Sequence, residues 1–185
     1  MKKIIALSSL ILFFSSTLWA GDMATSALKI KPLLVGSTIP DAKLKDQNNK
    51  NIELKNMLKG KASLLVFYRG GWCPYCNRHL QALAQSKDAL DKLGIQIIAI
   101  SPDSADKLTK SMKDVKIDYT LLSDSKLDAA KNFGVAFNSG RRQLPVPSVF
   151  LFNSEGVLTF QYVNPNYKVR LDQKILMAAA KVAVQ

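Results

Sequence analysis

Residues 67–76 read Phe-Tyr-Arg-Gly-Gly-Trp-Cys-Pro-Tyr-Cys, and this stretch decides the fold. The apolar run Leu64 to Phe67, which leads into this stretch, predicts a buried strand, and the residues after Cys76 predict a helix. Both cysteines of the chain, Cys73 and Cys76, would therefore lie at a strand-to-helix junction. Free backbone N–H groups and the helix dipole favour a thiolate at such a junction. The stretch predicts a dithiol that closes and reopens a disulfide.

Other uses of the two thiols are weaker or remain open. A structural disulfide across so short a loop would restrain little of the unfolded chain. A zinc site needs four ligands, and the chain offers two cysteines and one histidine, His79. A metallochaperone that carries copper(I) on the thiolates of Cys73 and Cys76 remains an alternative, because copper(I) needs only soft ligands. A non-catalytic, redox-sensing binding protein is a second alternative.

The N-terminus has the pattern of an export signal. Two lysines, Lys2 and Lys3, precede an apolar stretch from Ile4 to Phe14, and a cleavage site follows near Ala20. We therefore predict a signal peptide over residues 1–20 and a periplasmic, bacterial protein. An uncleaved anchor is the alternative, although the uncharged stretch from Ile4 to Ala20 is slightly short for a membrane span.

The rest of the chain predicts one domain. Residues 21–32 are expected to form a mature N-terminal tail, and residues 33–185 are long enough for a complete core. Predicted strands alternate with helices, and the chain closes with a hairpin at 148–163 and a helix at 168–184. This order predicts an α/β fold, a three-layer α/β/α sandwich with a mixed central sheet. The helix at 74–93 would bury Cys76, with Cys73 closer to solvent.

The charge pattern excludes some function classes. The formal net charge is +12, but the lysines are scattered and no basic groove with interleaved aromatic residues is apparent. We therefore expect no nucleic-acid partner and at most peripheral contact with a membrane surface. The chain has no Gly-rich phosphate loop and no dinucleotide fingerprint, so no cofactor is expected and the chemistry should depend on thiols alone.

Several segments, in this order, resemble one family. They are Val35-Gly36-Ser37-Thr38-Ile39-Pro40-Asp41, the stretch 67–76, Ala99-Ile100-Ser101-Pro102-Asp103-Ser104, Leu121-Leu122-Ser123-Asp124, Phe133-Gly134-Val135 and Pro147-Ser148-Val149-Phe150-Leu151-Phe152. Over most of residues 33–165 the chain looks like the thioredoxin fold. More narrowly, it resembles a peroxiredoxin-like member of the alkyl hydroperoxide reductase C / thiol-specific antioxidant (AhpC/TSA) family.

The resemblance implies a thiol-dependent oxidoreductase in which Cys73 and Cys76 are catalytic. Two reactions compete: reduction of hydroperoxides, with Cys76 attacking and Cys73 resolving, and exchange with protein disulfides, with Cys73 attacking. Position on the helix favours Cys73 as the nucleophile, and alignment to the family favours Cys76. A peroxidase or reductase role implies a thioredoxin-like or membrane-borne dithiol electron donor, whereas an oxidase role would not need one.

The family pattern also suggests supporting residues. In the motif P-x-x-x-T-x-x-C, Cys73 stands at the threonine and Arg69 at the proline, and Pro147 stands where the family has a distant arginine. Pro147 matches the cis-proline of thioredoxins and is predicted to be cis. Trp72 is expected to shield the dithiol. Arg69 would either add positive potential near a thiolate or lie at the surface, and His79 is expected to be packed rather than to act as a base.

Overall fold

A seven-stranded mixed sheet forms the centre of residues 23–184, which are the residues that the computed structural model describes. The predicted signal peptide lies outside them. The strands are β1 Lys43–Lys45, β2 Asn51–Glu53, β3 Ser63–Phe67, β4 Gln96–Ser101, β5 Thr120–Ser123, β6 Ala136–Ser139, β7 Arg142–Pro145, β8 Ser148–Phe152 and β9 Leu158–Val163. The helices are α1 Leu54–Leu58, α2 Pro74–Asp91, α3 Ala105–Val115, α4 Asp128–Asn132 and α5 Gln173–Ala183, after a 3-10 turn at Ala27–Lys29.

The sheet has the strand order β2-β1-β5-β4-β3-β8-β9. β3 pairs in parallel with β4 and antiparallel with β8, so it has a hydrogen-bonded neighbour on each side. All five residues of β3 are buried, as expected for a strand covered on both faces. β6 and β7 form a separate two-stranded hairpin.

Helices cover both faces of the sheet and complete the predicted three layers. Leu64 and Val66 of β3 point to the core that contains α2, α3 and α5. Leu65 and Phe67 point to the opposite core, with α1 and α4. The second core includes packed aromatic rings, with 4.9 Å between the ring centroids of Phe67 and Phe133. The predicted fold class is confirmed.

The start of the last helix and the β6–β7 hairpin are among the features that differ from the sequence-based prediction. The last helix begins at Gln173 rather than near residue 168, because the Asp172 side chain caps it by accepting a hydrogen bond of 2.8 Å from the backbone N–H of Lys174. Residues 164–172 therefore form a loop. The β6–β7 hairpin was not predicted, since half of its strand residues are polar and its strands are short. No helix within residues 23–184 is long and apolar enough to cross a membrane.

The described part of the predicted N-terminal tail packs against the domain. The backbone N–H of Ala24 donates to the carbonyl of Ala136 at 3.3 Å, and where the tail meets the domain the N–H of Leu33 donates to the carbonyl of Phe133 at 3.1 Å. Gly134 allows this close approach, because a Cβ built there would lie 1.8 Å from the carbonyl oxygen of Lys31. Its φ of 67° is also in the left-handed region that favours glycine.

Gly134→Ala should therefore destabilise the protein through both strain and a backbone clash. Gly94→Ala is the matched control, since Gly94 has a similar φ of 71° but nothing within 4 Å of a built Cβ. We expect a loss of about 1 kcal/mol of unfolding free energy for Gly94→Ala and about 3 kcal/mol for Gly134→Ala. Urea unfolding measures both, and equal losses would show that the contact with Lys31 is unimportant.

Candidate active site

The dithiol lies where β3 leads into α2, as predicted. Cys73 is the residue before the helix, and Cys76 lies in its first turn. Both are free thiols, and each side chain is only 1% exposed. The expectation that Cys73 lies closer to solvent is wrong, because Cys73 packs in the same buried cluster as Tyr68 and Cys76.

The loop before Cys73 is held inward by hydrogen bonds. The backbone N–H of Gly71 donates to Oδ2 of Asp103 at 2.7 Å, and Nδ2 of Asn77 donates to the carbonyl of Gly71 at 2.9 Å. A Cβ at Gly71 would lie 2.1 Å from Oγ of Ser111, so α3 packs directly against the loop. These contacts explain why Cys73 is buried rather than exposed at the helix N-terminus.

Opposing influences act on the Cys76 thiol. Burial and, after it, the Cys73 side chain raise its pKa to about 12. The backbone N–H of Arg69 and the charge of Arg170 lower this pKa, but they do not outweigh burial. The prediction that the helix junction favours a thiolate is therefore wrong for Cys76 in this fully reduced state.

Arg170 is the main site residue that the sequence did not reveal. Its Nη2 lies 3.5 Å from Sγ of Cys76, although the two residues are 94 positions apart. Nη1 donates to the carbonyl of Val169 at 2.9 Å and also to that of Tyr167, so backbone carbonyls hold the guanidinium in place. The sequence carried no signal for this contact, because Arg170 falls in a segment predicted as the start of the last helix.

His79 is packed in the core next to this site. It is only 7% exposed, and its Nε2 has no hydrogen-bond partner. Burial lowers its pKa to about 4, and the charge of Arg170 lowers it as well. The imidazole is therefore neutral at pH 7, in the packed position that we expected.

Arg69 lies between two aromatic rings. Its guanidinium carbon is 4.2 Å from the ring centroid of Tyr167 and 5.1 Å from that of Trp72. Arg69 is partly buried, and its Nε has no hydrogen-bond partner. Trp72 is half exposed, and its ring is also approached by Arg142, whose guanidinium carbon is 5.2 Å from the ring centroid. The structure thus places Trp72 at the surface beside the dithiol, and its shielding role stays a prediction.

Pro147 lies near Arg69 but is not cis. Residues 23–184 contain no cis peptide bond, so the predicted cis bond after Val146 is wrong. In this trans conformation the backbone N–H of Val146 has a hydrogen-bond partner, because it donates to the carbonyl of Val135 at 2.8 Å. Pro147 and Arg69 line a cavity of about 200 Å³ together with Ala27, Phe137, Ser139, Val146, Pro165 and Tyr167.

Within the part of the chain that the structure describes, no three His, Cys, Asp or Glu side chains lie close enough together to hold a metal ion.

Comparison with known proteins supports the resemblance. The AhpC/TSA family model matches residues 35–161. A putative peroxiredoxin bcp from Haemophilus influenzae is 36% identical over 106 residues, which cover 57% of this chain and 68% of that protein. The chloroplastic peroxiredoxin Q of Triticum aestivum is 32% identical over 129 residues, or 70% of this chain, and the match spans 58% of the wheat protein's length.

A solved structure shows the same fold. Peroxidoxin BcpB from Mycobacterium tuberculosis superposes with a TM-score of 0.69 at 20% identity, covering 80% of this chain and 96% of that chain. The thioredoxin-like architecture and the assignment to the thiol-dependent oxidoreductases are thereby confirmed. The chain belongs to the AhpC/TSA family.

Proposed function

We propose that this protein is a thiol peroxidase that reduces hydroperoxides and cycles Cys73 and Cys76 between dithiol and disulfide. The observation that carries the proposal is the guanidinium of Arg170 at 3.5 Å from Sγ of Cys76. A cation beside a sulfur stabilises the thiolate and the negative charge that develops on the oxygen of a breaking O–O bond. The family of the chain supports peroxide as the substrate.

The first step assigns attack to Cys76. Its thiolate attacks the terminal oxygen of the hydroperoxide, the O–O bond breaks, and the leaving oxygen takes a proton to become an alcohol or water. Cys76 is oxidised to a sulfenic acid. Arg170 supplies positive charge in place of the arginine that the family pattern has where this chain has Pro147.

The second and third steps reset the site. Cys73 attacks the sulfenic sulfur of Cys76 and releases water, which leaves a disulfide across residues 73–76. The burial of both free thiols in one cluster, at the residue before α2 and in its first turn, supports this assignment. A dithiol donor then reduces the disulfide by exchange.

Substituting each cysteine in turn shows whether Cys76 attacks the peroxide and Cys73 resolves the sulfenic acid, or whether Cys73 is the nucleophile. Cys76→Ser should lose rapid oxidation by hydrogen peroxide, by about a hundredfold or more, because the attacking sulfur is gone. Cys73→Ser should keep one rapid oxidation and stop at a sulfenic acid, which dimedone labelling and intact mass detect. If instead Cys73→Ser loses the reaction and Cys76→Ser keeps it, Cys73 is the nucleophile that attacks the peroxide. If the unsubstituted protein reacts no faster than a free thiol, disulfide exchange becomes the better assignment.

The pH dependence tests the role of Arg170. Burial holds the pKa of Cys76 far above neutral, so its thiolate fraction, and with it the oxidation rate, should rise about tenfold per pH unit between pH 6 and 8. Arg170→Met removes the charge that lowers this pKa, so the rate should fall about tenfold at each pH. Arg170→Lys should recover part of it.

The measurement is stopped-flow oxidation by hydrogen peroxide in a Cys73→Ser background, where Cys76 is the only thiol. Arg141→Met is the matched control, because Arg141 is exposed and lies next to Arg142 in the chain. Thermal unfolding of each variant tests whether it is folded. If folded Arg170→Met is oxidised as fast at every pH as the protein that retains Arg170, the proposed role of Arg170 is contradicted.

We also propose that the protein acts in the periplasm after removal of residues 1–20. Support comes from Lys2 and Lys3, followed by the apolar stretch from Ile4 to Phe14. In that compartment the reducing electrons must cross the inner membrane, so the donor is a thioredoxin-like domain supplied from a membrane-borne carrier. Intact mass of the protein purified from an expressing bacterium should correspond to a chain beginning at Gly21, and an uncleaved mass in the membrane fraction would contradict export in soluble form.

A further inference from the structure

Three arginine and three aromatic side chains form a continuous row beside the dithiol. Besides the contacts of Arg69, the guanidinium carbon of Arg78 lies 4.5 Å from the ring centroid of Tyr75. The rings of Tyr75 and Tyr167 meet edge to face with 5.8 Å between centroids. We call this surface the arginine–aromatic row; in order it contains Arg142, Trp72, Arg69, Tyr167, Tyr75 and Arg78.

The row holds unpaired positive charge. The four ion pairs within residues 23–184 all use lysine, so no carboxylate among these residues forms an ion pair with an arginine of the row. Stacking on a ring leaves the edges of a guanidinium free to donate two parallel hydrogen bonds to a carboxylate. Arg142 and Arg78 are exposed at the two ends of the row.

The composition of the row is that of a protein-binding hot spot. Trp, Tyr and Arg are the residues that contribute most binding energy at protein interfaces. The chain has only five arginines among its 26 basic residues, yet three of them lie in this row and no lysine does. A surface that merely kept the protein soluble would be expected to use the more abundant lysine.

The position of the row relates it to electron transfer. Trp72 immediately precedes Cys73, and Tyr75 lies between the two cysteines. Because both sulfurs are buried, a reductant that attacks the disulfide has to approach through the residues that surround it. The row is therefore in the path of a macromolecular donor.

We propose that the arginine–aromatic row is the docking surface for the electron donor, a dithiol protein that presents carboxylates around its own active-site cysteine. The inference rests on the proposed function, since it concerns the reduction that completes that cycle. The carboxylates pair with Arg142 and Arg78, and the donor thiolate attacks one sulfur of the Cys73–Cys76 disulfide. Exchange then moves two electrons to this chain and leaves the donor as a disulfide.

The test starts from protein that has been oxidised to the disulfide with diamide. Its reduction is followed by stopped flow with two reductants, a reduced bacterial thioredoxin of net negative charge and the small uncharged dithiothreitol. The test variant is a double variant that carries both Arg142→Gln and Arg78→Gln. The control is the single variant Arg141→Gln. Each rate is measured at low and at high salt.

The double variant should react about tenfold more slowly with thioredoxin at low salt, because steering of an acidic partner is lost. The rate of the unsubstituted protein should fall with salt, whereas that of the double variant should change little. Reduction by dithiothreitol should be the same for all three proteins, and Arg141→Gln should stay within about twofold of the unsubstituted protein with thioredoxin.

Other outcomes would overturn the proposal. Equal slowing with thioredoxin and dithiothreitol would assign the row to thiol chemistry or to local structure. An unchanged thioredoxin rate, combined with loss of binding to phosphatidylglycerol vesicles, would assign the row to a lipid surface. The proposed peroxidase function is tested separately, because oxidation of the reduced protein by hydrogen peroxide needs no donor and the docking test begins after that step.

Discussion

The burial of β3 on both faces is the constraint on which the site depends. Its five apolar or small residues pair with β4 on one side and β8 on the other, and their side chains enter two separate cores. A strand held in this way has no freedom to slide, because a shift of one residue would exchange the two sets of side chains. The end of β3 at Phe67 therefore sets where the loop turns and where α2 begins, and with them the place of both cysteines.

The chemistry at Cys76 follows from a balance between desolvation and two positive influences. Burial favours the neutral thiol, whereas the N–H of Arg69 and the guanidinium of Arg170 favour the thiolate. The family pattern places a helping arginine where this chain has Pro147. Here a guanidinium reaches the sulfur from the loop after β9 instead. A positive group at the sulfur matters more than the element that carries it, because the Coulomb energy depends only on distance and surroundings.

Arginine and lysine have different places in this molecule. The lysines are spread over the surface, and all four ion pairs within residues 23–184 use a lysine. Ion pairs at a protein surface contribute little to stability. Four of the five arginines lie around the dithiol, three stacked on rings and one at the sulfur. A planar guanidinium suits this place, since it stacks on aromatic faces and stays charged when it is partly buried.

Local signals in the sequence determined the fold class, the strand-to-helix junction and the position of both cysteines at that junction. The apolar run at 64–67, the helix that begins at residue 74 and the hairpin at 148–163 could be predicted because periodicity and turn chemistry act between near neighbours. The burial of Cys73, the trans peptide before Pro147 and the contact of Arg170 could not. The first and the last depend on segments far apart in the chain, with Asp103 holding Gly71 and Arg170, in the loop before α5, reaching Cys76 of α2. The second accompanies the pairing of Val146 with Val135 at the open end of the β6–β7 hairpin. Only the packing of the sheet and its helices brings those segments together, and no spacing in the sequence records it.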